Sequence, residues 1–229
     1  MTVVTEPGVG LAAAWRLLSL GFAPPRDETL TEMEALAESL LELEWEPRTA
    51  DALRAIAAAI HETDRDTLGA RYQYLFGGSV RVSPYEGSYE LDPIRQGRQM
   101  ADVAAFYRAF GAEAHGPVAE RPDHVGCELE FLAYLELRRL VVADSGSQAD
   151  ATILEEITAS FLADHAGRWL PTFFGDTYEA AGIAPLYRAL AAFGSAVVGG
   201  ELERRELEPS PLPRRRPRSA VEADAIECG

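Results

Sequence analysis

The residues best placed to do chemistry are Asp123 and His124, adjacent in the run Glu120-Arg121-Pro122-Asp123-His124. Pro122 is a favourable first residue for a helix, which puts the carboxylate and the imidazole in its first turn. Free N–H groups and the positive helix end favour a carboxylate there, so one reading of Asp123 is a helix cap. A second is a recognition point, where the pair sits at a groove edge and meets a basic peptide. A third is a hydrolytic dyad, for which neither a nucleophile nor an oxyanion hole can be identified. His124 and Cys127 stand i, i+3, a spacing that metal ligands use. Zinc needs three or four ligands, and the rest would have to come from His165 or carboxylates. Cys127 reads better as a small buried apolar residue, and we expect neither a metal site nor a catalytic residue.

The second constellation is the loop Ser83-Pro84-Tyr85-Glu86-Gly87-Ser88-Tyr89. Tyrosine offers a large contact area with few rotors to freeze, and Glu86 adds negative charge. The loop reads either as a surface loop packed by its own aromatics or as one wall of a peptide groove. The run from Arg71 to Gly77 leads into it, with Tyr72 and Phe76 as aromatics of the preceding helix. The familiar enzyme signatures are missing: there is no GxGxxG, Walker A loop, GxSxG elbow or HExxH. The chain contains no lysine, which excludes Schiff-base and P-loop chemistry.

The elements that must position these residues are helices. Apolar residues recur at helical spacing almost throughout, and no convincing alternating strand is found. Leu11, Trp15 and Leu18 mark a first helix from about 11 to 20, stopped by Gly21. Leu30, Met33, Leu36, Leu40 and Leu43 mark a second, with Thr29–Glu32 or Thr31–Glu34 as its capping box. Leu53, Ile56 and Ile60 define a third after Pro47; Asp64 caps a fourth carrying Leu68, Tyr72 and Leu75. A loop from Gly77 to about Leu91 follows; at roughly 15 residues it is long for a compact helical domain, as functional or disordered loops are. Met100, Val103, Tyr107 and Phe110 mark the fifth helix, closed by Gly111. The sixth, from about Pro122 to Val142, is apolar on two faces and belongs inside the bundle. The seventh carries Leu154, Ile157 and Phe161 and is broken or kinked at Pro171, restarting toward Ala181. The last starts near Pro185 and weakens at Gly199-Gly200. The expected architecture is all-α: one compact domain of about nine helices over residues 1–207, then a disordered Pro/Arg-rich tail over 208–229.

Composition narrows the function classes. The chain has 229 residues, 47% hydrophobic and 25% charged, as a soluble globular protein has. Its net charge of −16 argues against non-specific binding to nucleic acid or anionic membranes. The tail's charges cancel, so the helical body carries the acidity. Cys127 and Cys228 make no framework, which points to a reducing compartment. Met1 to Gly10 lacks the pattern of a signal peptide, and no apolar run is long enough to span a membrane.

Taken in order, several segments resemble one family. They are Tyr72-Gln73-Tyr74-Leu75-Phe76-Gly77, Ser83-Pro84-Tyr85-Glu86, Ala101 to Gly111, Glu120 to His124 and Glu128 to Leu135. Phe161-Leu162-Ala163-Asp164-His165, Trp169-Leu170-Pro171 and Pro185 to Leu190 complete the set. Over about Ala70 to Phe193 this is similar to the TorD/DmsD/NarJ group of redox enzyme maturation chaperones. Its closest likeness is to the branch serving type II enzymes of the dimethyl-sulfoxide-reductase family. The resemblance implies a TorD-like helical fold, monomeric or domain-swapped into a dimer, in the cytoplasm. It implies a dedicated chaperone with no turnover and no cofactor of its own. Its partners would be the apo molybdoenzyme catalytic subunit, whose client cofactor is molybdopterin guanine dinucleotide, and that subunit's twin-arginine signal peptide. Carried over residue by residue, it places the recognition motif on Pro122, Asp123 and His124, the loop contacts on Tyr85 and Glu86, and groove aromatics on Tyr72 and Phe76. The rival readings are an Asp-His-dependent hydrolase or nucleotide-dependent enzyme, and a permanent helical subunit of a redox complex. The run Arg214-Arg215-Arg216 invites one more expectation: it could occupy the acidic groove and compete with the client peptide.

Overall fold

A computed structural model describes residues 7–77, 80–111 and 120–212. Among them the chain forms nine α-helices, joined by one 3-10 turn and one π turn. They are α1 (Pro7–Gly21), α2 (Asp27–Leu41), α3 (Pro47–Glu62), α4 (Arg65–Phe76), α5 (Pro93–Ala109), α6 (Val125–Asp144), α7 (Gln148–Phe161), α8 (Gly167–Ala180) and α9 (Pro185–Arg204). The all-α expectation holds. No helix among the described residues is long and apolar enough to cross a membrane.

Two helices form the centre. α1 lies along α6, and its Ala14, Trp15, Leu17 and Leu18 are wholly or almost wholly buried. α6 buries Val125, Leu129 and Leu132 on one face and Phe131 and Leu135 on another, as a helix apolar on two sides must. Around this pair, α2 and α3 close one side, α7 covers α6, and α9 packs on both α8 and α3. Phe22, Phe76, Phe173, Phe174 and Tyr187 meet as an aromatic cluster, with Phe22 and Phe173 edge-on at 5.1 Å. α8 and α9 approach so closely that a Cβ at Gly194 would sit 2.6 Å from the Phe174 ring, so that position requires glycine.

The local signals acted as expected at some ends and not at others. Asp64 caps α4 through Oδ1, which accepts from the Thr67 N–H at 2.9 Å. Gly111 follows α5 with φ +66°, the left-handed conformation that ends helices. α2 starts earlier than Thr29 or Thr31 predicts: it begins at Asp27, and Thr29 Oγ1 reaches back to accept from Arg26 N–H at 2.9 Å. α6 begins at Val125 rather than Pro122, because the preceding backbone is taken up in a bridge to the loop. The kink expected at Pro171 is displaced. Pro171 sits inside α8, and the irregularity is the π turn at Leu162–Ala166. α9 runs through Gly199-Gly200 to Arg204.

The expected boundary at 207/208 does not mark where packing ends. The Leu212 N–H donates to the Arg168 carbonyl at 2.9 Å, Arg168 Nε donates to the Ser210 carbonyl at 3.1 Å, and Leu212 is 4% exposed. The rest of that tail, including Cys228 and the arginine run, lies outside the described residues.

Candidate functional site

The loop and the approach to α6 are tied together by backbone. Residues 85 and 124 form an isolated antiparallel bridge. The Val125 N–H donates to the Pro84 carbonyl at 2.8 Å and the Glu86 N–H to the Asp123 carbonyl at 2.9 Å. A 3-10 turn, Glu86–Tyr89, follows at once. The two constellations found in the sequence are therefore one structure.

Their side chains turn inward. Asp123 has no exposed surface: Arg121 grips its carboxylate with two hydrogen bonds at 3.0 and 2.7 Å, and the Gly87 N–H donates to it at 3.2 Å. His124, 3% exposed, is the N-cap of α6, with Nδ1 accepting from the Gly126 N–H at 3.1 Å. Burial holds its pKa below the ordinary imidazole value, against the pull of Glu120 and Asp123. The neutral ring that accepts at Nδ1 carries its proton on Nε2. The reading of Asp123 as the cap passes to its neighbour, and the side chains of Asp123 and His124, expected at a groove edge, are buried instead. The dyad reading is corrected too, since the carboxylate of Asp123 is engaged by Arg121 and a backbone amide rather than by the imidazole. Cys127 is no nucleophile, because burial pushes its thiol up to about 12.

Tyr72 and Phe76, expected to line a groove, belong to the aromatic core, with ring centroids 5.3 Å apart. Desolvation pushes the Tyr72 hydroxyl up to about 12. Glu86, expected at a rim, is wholly buried; it accepts from Gln99 Nε2 at 2.9 Å and lies 3.3 Å from His165 Nδ1. Tyr85 and Pro122 keep partial exposure. Tyr85 packs edge-on against His124, lies under the Arg121 guanidinium at 4.5 Å and donates to Glu120 Oε1 at 3.1 Å. The Pro122 carbonyl accepts from Tyr107 OH at 2.8 Å.

Glu128 joins this buried group and was not singled out in the sequence. Its Oε2 accepts from Trp169 Nε1 at 2.9 Å, while its Oε1 has no hydrogen-bond partner among the described residues. Burial, then the charge of Glu86, raises its pKa well above the usual carboxylate range. A signal existed: Glu128 stands three residues after Val125 and four before Leu132, on the apolar face of α6.

Two grooves flank α7. The first, about 880 Å³, is bounded by α1, α6, α7 and α9. Apart from the exposed Glu44, its charges are paired: Glu136 with Arg139 at 2.6 Å, Glu155 with Arg204 at 3.0 Å, Glu201 with Arg204 at 3.1 Å. The second, about 840 Å³, lies between α5, the other face of α7 and the π turn. Phe106, Ile153 and Ile157 supply apolar surface; Asp102, Glu156 and Asp164 supply exposed carboxylates. None of those carboxylates pairs with a cation among the described residues. Gln99 and His165 reach this groove from the buried network, so their contacts with Glu86 of the loop set its inner wall. Such a surface complements a ligand with cationic and apolar parts.

The chain matches the family described as nitrate reductase delta subunit over residues 42–175. It is 36% identical over 112 residues to a chlorate reductase assembly chaperone protein of Ideonella dechloratans, covering 48% of this chain and 56% of that protein. It is 37% identical over 111 residues to a selenate reductase assembly chaperone protein of Thauera selenatis, covering 47% and 56%. The match thus spans little more than half the length of these curated relatives. Among solved structures, one described as a redox enzyme maturation protein from Archaeoglobus fulgidus aligns with a TM-score of 0.53 at 22% identity. That alignment covers 82% of this chain and 92% of the other and speaks to the fold.

Proposed function

Because this chain belongs to the nitrate reductase delta subunit family, we propose that it is a maturation chaperone for a molybdenum-cofactor oxidoreductase of the type II branch. It binds the immature catalytic subunit in the cytoplasm, holds it for cofactor insertion, and delays its export by engaging the twin-arginine signal peptide. It turns nothing over. The reading rests above all on the 36% and 37% identity to proteins described as assembly chaperones of a chlorate and a selenate reductase.

The leader of such a client is basic and then apolar. It lies in the groove between α5 and α7, its arginines on Asp102, Glu156 and Asp164 and its apolar part on Phe106, Ile153 and Ile157. Acidic charge steers the encounter, and apolar burial at about 25 cal/mol per Å² holds the complex. Tyr85 and Pro122 contribute at the surface; Tyr72, Phe76, Glu86, Asp123 and His124 act as positioning residues beneath it.

The test is co-expression with a catalytic subunit of that class. Affinity purification is expected to recover the cofactor-free subunit and to lose it once cofactor is inserted. Recovery of the mature, cofactor-loaded enzyme instead would make the chain a permanent subunit and end the chaperone reading.

A further inference from the structure

We propose that the second groove also takes a segment of this same chain, Pro213-Arg214-Arg215-Arg216-Pro217-Arg218, as an internal occupant that an incoming basic peptide must displace. The argument starts where the described chain leaves the body. Pro209 packs toward Gly167, whose Cβ would sit 2.9 Å from the proline ring. Arg168 then clamps the strand twice, accepting from the Leu212 N–H at 2.9 Å and donating from Nε to the Ser210 carbonyl at 3.1 Å. Arg168 itself lines the groove beside Asp164, so the described chain ends, at Leu212, within reach of that end of it.

Reach and chemistry agree. From Asp164 back to Ile153 is about 16 Å at the rise of a helix. Six residues, with prolines holding them extended at roughly 3.1 Å each, cover about 19 Å. The segment can run the length of the groove without a turn. It brings four guanidinium groups, named above, to Asp102, Glu156 and Asp164. Gln99 Oε1 on the groove's inner wall is buried and without a partner among the described residues, and its amide nitrogen is committed to Glu86. A guanidinium supplies the donor it lacks. Arg168, the one arginine lining the groove among the described residues, is turned to backbone carbonyls, Nε to Ser210 and one terminal nitrogen to Asp164 at 3.4 Å. Single exposed ion pairs are weak. Tethering changes the balance, because a segment one residue from its site is present at an effective concentration in the millimolar range. The proposal stands on the groove and the exit point and not on the identity of any client.

The probe is a fluorescently labelled synthetic peptide of residues 211–219, titrated at low salt and followed by anisotropy. The Arg214→Ala/Arg215→Ala/Arg216→Ala variant of the full chain is expected to bind it at least about ten-fold more tightly than the unaltered chain, which must first release its own segment. Adding Asp102→Asn, Glu156→Gln and Asp164→Asn to that variant is expected to abolish the binding. Equal affinity for the variant and the unaltered chain would overturn the proposal. So would binding that survives the neutralised groove. Failure of client leader peptides to bind either protein would end the client reading of the groove and leave this result standing.

Discussion

The grooves on the two faces of α7 are nearly the same size, about 880 and 840 Å³, and opposite in chemistry. In the first, Glu136, Glu155 and Glu201 are matched by Arg139, Arg204 and Arg205. The arginines there are held protonated by those hydrogen bonds, Arg139 chiefly by Glu136 and Arg204 chiefly by Glu201. Except at Glu44, that groove is satisfied from within and works as a seam between α6, α7 and α9. In the second, Asp102, Glu156 and Asp164 have no cationic partner among the described residues. Volume does not separate a seam from a binding surface; charge pairing does.

Breaking the seam should have the largest effect. The Arg205 side chain is 4% exposed and faces Glu155 and Glu201. Arg205→Ala is expected to lower unfolding free energy by roughly 3 kcal/mol, the scale for removing one partner of a buried pair. Denaturant titration reads this, and binding of an arginine peptide in the second groove should be unchanged. A loss below half that value would mean that the seam is no more than surface pairing.

His124→Ala should lose about 1 kcal/mol, the usual value of an N-cap. Its pH dependence has a definite sign. The folded state holds the imidazole below its ordinary 6.5, so it binds fewer protons there than the unfolded chain. The His124 contribution is full above that value and lost as pH falls through and below it. His124→Asn keeps a cap and should flatten this acid limb in melting curves.

Glu128 runs the other way. Its pKa is raised above 4.5 by burial, so the folded state binds more protons than the unfolded one. Stability falls as pH rises from about 4.5 toward the raised value. Glu128→Gln keeps an acceptor for Trp169 and should raise the melting temperature by a few degrees at pH 8, about 1 kcal/mol in a domain of this size. At pH 4 the two proteins should melt together.

The smallest effect on stability belongs to the second groove. Asp102→Asn with Glu156→Gln and Asp164→Asn should shift unfolding by under about 0.5 kcal/mol, as exposed unpaired side chains do. The same change should remove the salt-sensitive part of basic-peptide binding. A large loss of stability would mean that these carboxylates belong to a second seam, and the contrast across α7 would vanish.

The helices were legible because each buries one stripe at helical spacing, and α6 because it buries two. Asp64 and Gly111 were legible because a cap and a left-handed residue are local events. The start of α6 was not, because it depends on a bridge between residues 85 and 124, far apart in sequence. For the same reason the sequence could single out Asp123 and His124 by residue type but not show that their side chains turn inward. Residue type says that a carboxylate and an imidazole can meet a peptide; only the partners Arg121, Gly87 and Gly126 say that they are already engaged. The second groove was invisible because its carboxylates come from α5, α7 and the π turn, and nothing local distinguishes Asp102 from other exposed acids.

The π turn at Leu162–Ala166 also governs how this rod can change in length. It absorbs one residue more than an α-helical turn would. Removing a residue there would restore regular winding and leave everything downstream facing as it does, because the wide turn is what takes up the extra residue. Trp169, Phe173 and Phe174 would keep their place in the core, while Asp164 and His165, inside the turn, would shift. A single-codon deletion here is expected to spare the packing and to rework the groove's inner wall.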